Sequence, residues 1–163
     1  IMHMNLIHLN YKIDKEKYRK IFYDIHQRGE WYQWKKFEPK LSWWKVYLKD
    51  GSEIRHLTKE VEQDLGIWGM NTYPRFAYLF ANHNVPPHVD EDDMTSIQIN
   101  LFDKQPVMVV EDQQVPYECV LLENGKLRHW VEPVNYDRLM LKFCIRHPWQ
   151  EIIERIPDEI QNR

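Results

Sequence analysis

In the stretch VPPHVDEDDMTSIQINLF, residues 85–102, His88 and Asp90 stand two positions apart, just ahead of an alternating run of apolar residues. Imidazole and carboxylate suit a divalent transition metal, and two His with one carboxylate on one face serve oxygen chemistry at Fe(II). Side chains alternate along an extended segment, so residues two apart at a strand end aim at one point. Alone the pair decides little: with 8 His and 11 Asp in 163 residues, chance gives roughly half an H-x-D pair. Two polar residues satisfying a loop backbone is the ordinary alternative. A third ligand must come from a distant strand. LRHWVEPVNYDRLMLKF offers His129, 41 residues after His88, and nine residues later Arg138 opens an apolar strand.

The elements that must position these groups are read from periodicity. NLIHLNYKI reads as a first strand. Asp14 then caps an amphipathic helix in which Tyr18, Ile21, Phe22 and Ile25 recur at helical spacing, with Gly29 as the stop. SWWKVYL and SEIRHL flank Asp50-Gly51, which predicts two strands joined by a tight hairpin. Thr58 caps a short helix through Leu65. From there to Arg146 the runs RFAYLFA, TSIQINLF, PVMVVE, YECVLL, RHWVEP and RLMLKFCIR are separated by turn residues, the spacing of a sandwich or small barrel. WQEIIERIPDEIQ predicts a helical turn or two, interrupted at Pro157. The H-x-D therefore lies at the threshold of a core strand.

A chain of 163 residues is the size of one domain and buries a core without help from metal or disulfide. Its 7 Trp and 9 Tyr suit strands with aromatic cross-strand contacts. No apolar run reaches membrane-spanning length, and IMHMNLIHL is too short and too weakly patterned for a signal peptide. Met4 is read as the natural start, so His3 is left out of the site. Cys119 and Cys144 lie in apolar strands and form no C-x-x-C pair, which predicts reduced core thiols and a cytoplasmic protein. Residues 1–60 carry a net +5 and 61–163 a net −8. In the basic half Trp31, Trp34, Trp43 and Trp44 interleave with Lys35, Lys36, Lys40 and Lys45, as in a groove for single-stranded nucleic acid. A solvated lysine face over core tryptophans is the plainer reading.

The order H-x-D, distal His, then Arg opening the last core strand resembles the Fe(II)- and 2-oxoglutarate-dependent dioxygenases, over about residues 74–146. The layout is similar to small members encoded by phages and marine microbes, with a tail like the aspartyl/asparaginyl or prolyl hydroxylases. The resemblance implies a mainly β fold, a double-stranded β-helix (jelly roll, cupin-like) with an N-terminal α/β preface. It divides one domain into a preface (1–73), a core (74–146) and a tail (147–163). It further implies Fe(II) on His88, Asp90 and His129, with Arg138 pairing the distal carboxylate of 2-oxoglutarate through its planar fork. Tyr78 resembles a position at which relatives place a tyrosine that hydrogen-bonds the cosubstrate. Ser96, Gln98 and Asn100 form one face of their strand, and either line the ligand cavity or point outward as ordinary polar alternation. The implied reaction consumes 2-oxoglutarate and O2, releases succinate and carbon dioxide, and uses a ferryl to abstract hydrogen from a peptide side chain or small molecule. Hydroxylation is the usual outcome. Halogenating relatives lack the carboxylate that Asp90 supplies here.

Two alternatives stand beside this. A cupin-like metalloprotein would use the same three ligands without 2-oxoglutarate, and Arg138 would then matter little. A non-catalytic domain would bind nucleic acid through the Trp/Lys segment, with steep salt dependence. Among the other histidines, His83 in NHN is placed in a loop near the mouth of the site, five residues from His88 and at no special ligand spacing. Asp90-Glu91-Asp92-Asp93 lacks the glycine and closing glutamate of a calcium loop.

Overall fold

The computed structural model describes residues 4–28, 31–33, 43–46, 52–90 and 95–162. In chain order the elements are β1 (Leu6–His8), α1 (Lys15–Gln27), β2 (Trp31–Gln33), β3 (Trp43–Val46), α2 (Ser52–Leu57) and α3 (Lys59–Asp64). The strands β4 (Thr72–Leu79), β5 (Val85–His88), β6 (Thr95–Asn100), β7 (Val107–Val110), β8 (Gln113–Pro116), β9 (Cys119–Leu122), β10 (His129–Val131) and β11 (Arg138–Ile145) follow, and α4 (Trp149–Arg155) closes the order. One antiparallel sheet runs β1-β9-β6-β11-β4-β3-β2 and the other β5-β10-β7-β8. From β4 onward the chain passes repeatedly from one sheet to the other, which is the double-stranded β-helix expected of the core. The preface strands do not form a separate layer: β1 pairs with β9, and β3 pairs with β4, so they widen the larger sheet.

Each element follows from local chemistry. The Asp14 side chain accepts from the Lys17 N–H at 3.1 Å, capping α1, whose buried stripe is Tyr18, Phe22 and Ile25. β11 is buried along its whole length, and its two faces do different work. Leu139, Leu141, Phe143 and Ile145 join the helix-side core with Phe22, Ile25 and Ile152. The alternate residues Arg138 and Met140 line a cavity between the sheets with Ala77, Leu79 and Gln98. A second, smaller core of Met108, Val110, Val115, Tyr117, Val120 and Leu122 fills the rest of that interior.

Several expectations need correcting. SEIRHL is the helix α2, not a strand. Ile54, Leu57, Thr58 and Val61 recur at helical spacing, and Ile54, Thr58 and Val61 are buried. The Asp50-Gly51 turn proposed to precede it lies outside the described residues, as do Trp34, Lys35, Lys36 and Lys40 of the Trp/Lys segment. Thr58 does cap α3 by position, but its hydroxyl donates back to the Ile54 carbonyl at 2.9 Å. The first strand is only Leu6–His8. β5 escaped the sequence reading because VPPH contains two prolines; it sits at a sheet edge, where proline is tolerated. Cys119 and Cys144 are both buried and neither is in a disulfide among the described residues, and no helix among the described residues is long and apolar enough to cross a membrane.

Phe22 is 1% exposed and its ring meets those of Phe76 and Tyr78 at 5.6 and 5.7 Å. Phe22→Ala is expected to lower the unfolding free energy in a urea titration by about 3–5 kcal/mol. A loss below about 1 kcal/mol would show that α1 is not seated on the sheet in this way.

Candidate metal centre

His88 ends β5 and His129 begins β10, and the two are directly paired across the smaller sheet, with ring centroids 4.3 Å apart. Asp90 follows β5 by two residues. Its Oδ1 lies 3.3 Å from His88 Nε2 and its Oδ2 3.3 Å from His129 Nε2. One donor atom from each of the three residues falls within 4.8 Å of the others.

Each histidine is oriented the same way. His88 Nδ1 faces the Pro86 carbonyl at 2.8 Å and His129 Nδ1 the Leu127 carbonyl at 2.8 Å. A carbonyl only accepts, so both Nδ1 atoms carry the proton and donate. In the neutral rings both Nε2 lone pairs then face the Asp90 carboxylate. Acceptors so disposed repel one another until a cation, or a proton on each ring, lies between them. Two imidazole nitrogens and one carboxylate, each ring fixed by a backbone carbonyl, are the donors and outer support that a divalent transition metal takes.

The Asp90 carboxylate has further partners. Asn124 Nδ2 donates to Oδ2 at 2.8 Å and Lys142 Nζ approaches the same oxygen at 3.4 Å. Burial alone would raise the Asp90 pKa, but the Lys142 ammonium, joined by Nε2–H donors of His129 and His88 when those rings carry a second proton, outweighs it and holds the carboxyl well below its usual range. Lys142 and Asn124 were missed in the sequence. A lysine in phase with Arg138 along an otherwise apolar strand was a usable signal for the first; no local pattern marked the second.

Arg138 is buried, at 8% exposure. Its Nη1 donates to the Glu132 carbonyl at 3.0 Å and its Nη2 to the His83 carbonyl at 2.9 Å. Among the described residues the buried Nε has no hydrogen-bond partner. Burial lowers the Arg138 pKa, with Tyr117 and Tyr136 acting the other way. Gln98 and Tyr117 line the same cavity; the Tyr117 hydroxyl reaches the Met140 sulfur, at 3.9 Å.

The structure sets the other two expected cosubstrate residues apart from this group. Asn100 accepts from the Phe102 N–H at 3.0 Å and donates to the Phe102 carbonyl at 2.8 Å and to Glu118, so its amide organises the turn after β6. Tyr78 packs against Phe22, Phe80 and Phe102, and its hydroxyl donates to Asp137. It pairs with Leu139 and shares the helix-side face, while its neighbours Ala77 and Leu79 line the cavity.

No family model matches the sequence, and no curated protein does. Solved structures do match in fold. A Pseudomonas putida prolyl-4-hydroxylase superposes with a TM-score of 0.60 at 15% identity, covering 88% of this chain and 93% of its own. A Trichoplax adhaerens prolyl hydroxylase, in complex with a peptide fragment of the hypoxia inducible factor oxygen degradation domain, gives 0.63 at 13%, covering 86% and 82%. A non-heme alpha-ketoglutarate-dependent epimerase from nogalamycin biosynthesis gives 0.56 at 10%, covering 86% and 77%. This chain therefore has the jelly-roll fold of 2-oxoglutarate oxygenases, with a His-Asp-His group inside it.

Metal binding is expected to stabilise the protein, by about 2.7 kcal/mol at a free ion concentration of a hundred times Kd. Thermal unfolding with and without Mn(II) should show this for the wild type. It should show no shift for Asp90→Ala, and an equal shift in that variant would place the ion elsewhere.

Proposed function

We propose that this protein is an Fe(II)- and 2-oxoglutarate-dependent dioxygenase that hydroxylates a peptide side chain or a small molecule. The observation that carries the reading is Arg138. A buried charge is costly unless it is matched, and among the described residues no carboxylate lies within ion-pair reach of this guanidinium. Two backbone carbonyls take two of its donors and the Nε–H is left over. A ligand carboxylate would supply both the charge and the acceptor.

The position of that cation supports a dicarboxylate. Arg138 and Lys142 lie on one face of β11, four residues or about 13 Å apart along the strand, and Lys142 touches Asp90. The cavity at Arg138 is walled by Ala77, Leu79, Val131 and Met140, which would exclude water from a methylene chain. This spacing of the two cations would suit an acid with one end toward the metal centre and the other at Arg138. Iron held by His88, Asp90 and His129 would supply the site at which a 2-oxo acid and O2 meet for oxidative decarboxylation. Around it, Pro86 and Leu127 hold the imidazoles in the ligating tautomer, and Arg138 sets the depth of the cosubstrate. The three neighbours include two hydroxylases and an epimerase, so the outcome for the substrate depends on side chains peculiar to this chain.

Anaerobic titration of the Fe(II)-loaded protein with 2-oxoglutarate is expected to give a saturable visible charge-transfer band. Arg138→Ala should weaken cosubstrate binding by roughly ten- to a hundredfold, the worth of a charge-assisted hydrogen bond. Iron binding without a band would sink the oxygenase reading and favour the cupin-like metalloprotein.

A further inference from the structure

The turn between β9 and β10, ENGKL at residues 123–127, holds two of the three ligands. The Asp90 N–H donates to the Asn124 carbonyl at 3.0 Å, and Asn124 Nδ2 returns a hydrogen bond to Asp90 Oδ2 at 2.8 Å. Three residues on, the Leu127 carbonyl accepts from His129 Nδ1. The turn is closed by the Lys126 and Leu127 N–H groups, which donate to the Glu123 carbonyl at 3.1 and 3.0 Å. It is also tied to the N-terminal segment. The Glu123 N–H donates to the Asn5 carbonyl at 2.9 Å, and Asn5 Nδ2 donates to Glu123 Oε1 at 3.0 Å.

Asn124 is fully buried, at 0% exposure, and among the described residues its Oδ1 has no hydrogen-bond partner. The reverse orientation of the amide would set two acceptors against each other, so the donor must face Asp90. A buried amide normally satisfies both ends. This one satisfies the end that meets the carboxylate.

We infer that Asn124 is a positioning residue for the metal, holding Asp90 Oδ2 so that Oδ1 is the oxygen presented to the ion. Lys142, 3.4 Å from the same oxygen, acts with it. With Oδ2 engaged, the carboxylate cannot rotate and serves as a one-oxygen ligand, which leaves coordination positions for other molecules. The inference rests on the metal-centre reading above and adds the residue that governs the affinity of that centre. Partners of metal ligands commonly alter affinity by roughly ten- to a hundredfold.

The test is a titration of the full chain with Co(II), followed by its d–d absorption, and with Mn(II), followed by its electron paramagnetic resonance. Wild type, Asp90→Ala, Asn124→Ala and the volume-conserving Asn124→Leu are compared, with thermal unfolding of each metal-free protein as the control for folding. Both Asn124 variants are expected to bind roughly ten- to a hundredfold more weakly than wild type, with the Co(II) spectrum altered. An unchanged Kd in either folded variant overturns the inference while leaving the metal centre intact. Should neither variant fold, a crystal structure of the wild-type Mn(II) complex decides: Asp90 bound through Oδ1 alone supports the role, and binding through both oxygens overturns it. A wild type that takes up neither ion overturns the metal centre and this role with it.

Discussion

Asp90 is a half-buried anion whose two oxygens meet two imidazoles, an amide and an ammonium, and a charge drawn out of water persists only where its partners are held in place. Those partners come from four separate pieces of chain: the end of β5, the β9–β10 turn, the start of β10 and the middle of β11. β5 and β10 belong to one sheet and β11 to the other, so the carboxylate joins the two sheets as well as anchoring the candidate ligands. The pairing of His129 with His88 and of Lys142 with Gln98 must both be correct for the group to assemble. This makes the site a sensitive reporter of strand register throughout the barrel.

β11 shows how closely site and core are bound together. One face packs Leu139, Leu141, Phe143 and Ile145 under the helices, and the other carries Arg138, Met140 and Lys142. A slip of one residue would exchange the faces, burying two cations among aliphatic side chains and emptying the cavity of its charge. The apolar face therefore enforces the placement of the polar one.

The parts legible in the sequence were those whose information is local or periodic. α1 was declared by Asp14 and by Tyr18, Phe22 and Ile25; β4, β6, β7, β9, β10 and β11 were declared by short apolar runs between turn residues. α2 was hidden because Asp50-Gly51 suggested a hairpin and six residues hold too few apolar positions to separate a helical period from an alternating one. His88, Asp90 and His129 were legible from residue type and order, and they do converge. The face on which Tyr78 lies was not legible: β4 is buried on both sides, so RFAYLF does not alternate, and only the pairing with Leu139 assigns it. Asn124 and Lys142 reach Asp90 across 34 and 52 residues, a relation that exists only after the sheets have formed.

The prolines of β5 have a consequence for the molecule's behaviour among its own copies. Pro86 and Pro87 lie in the edge strand of the four-stranded sheet, and neither has a backbone N–H to offer. An exposed edge with its donors intact is a template on which another chain can add a strand. Here the strand that delivers His88 is chemically blunted along that edge, and the carbonyl of Pro86 is turned to the imidazole instead. The residues that orient a candidate ligand thus also guard the opening in the sheet beside it against aggregation.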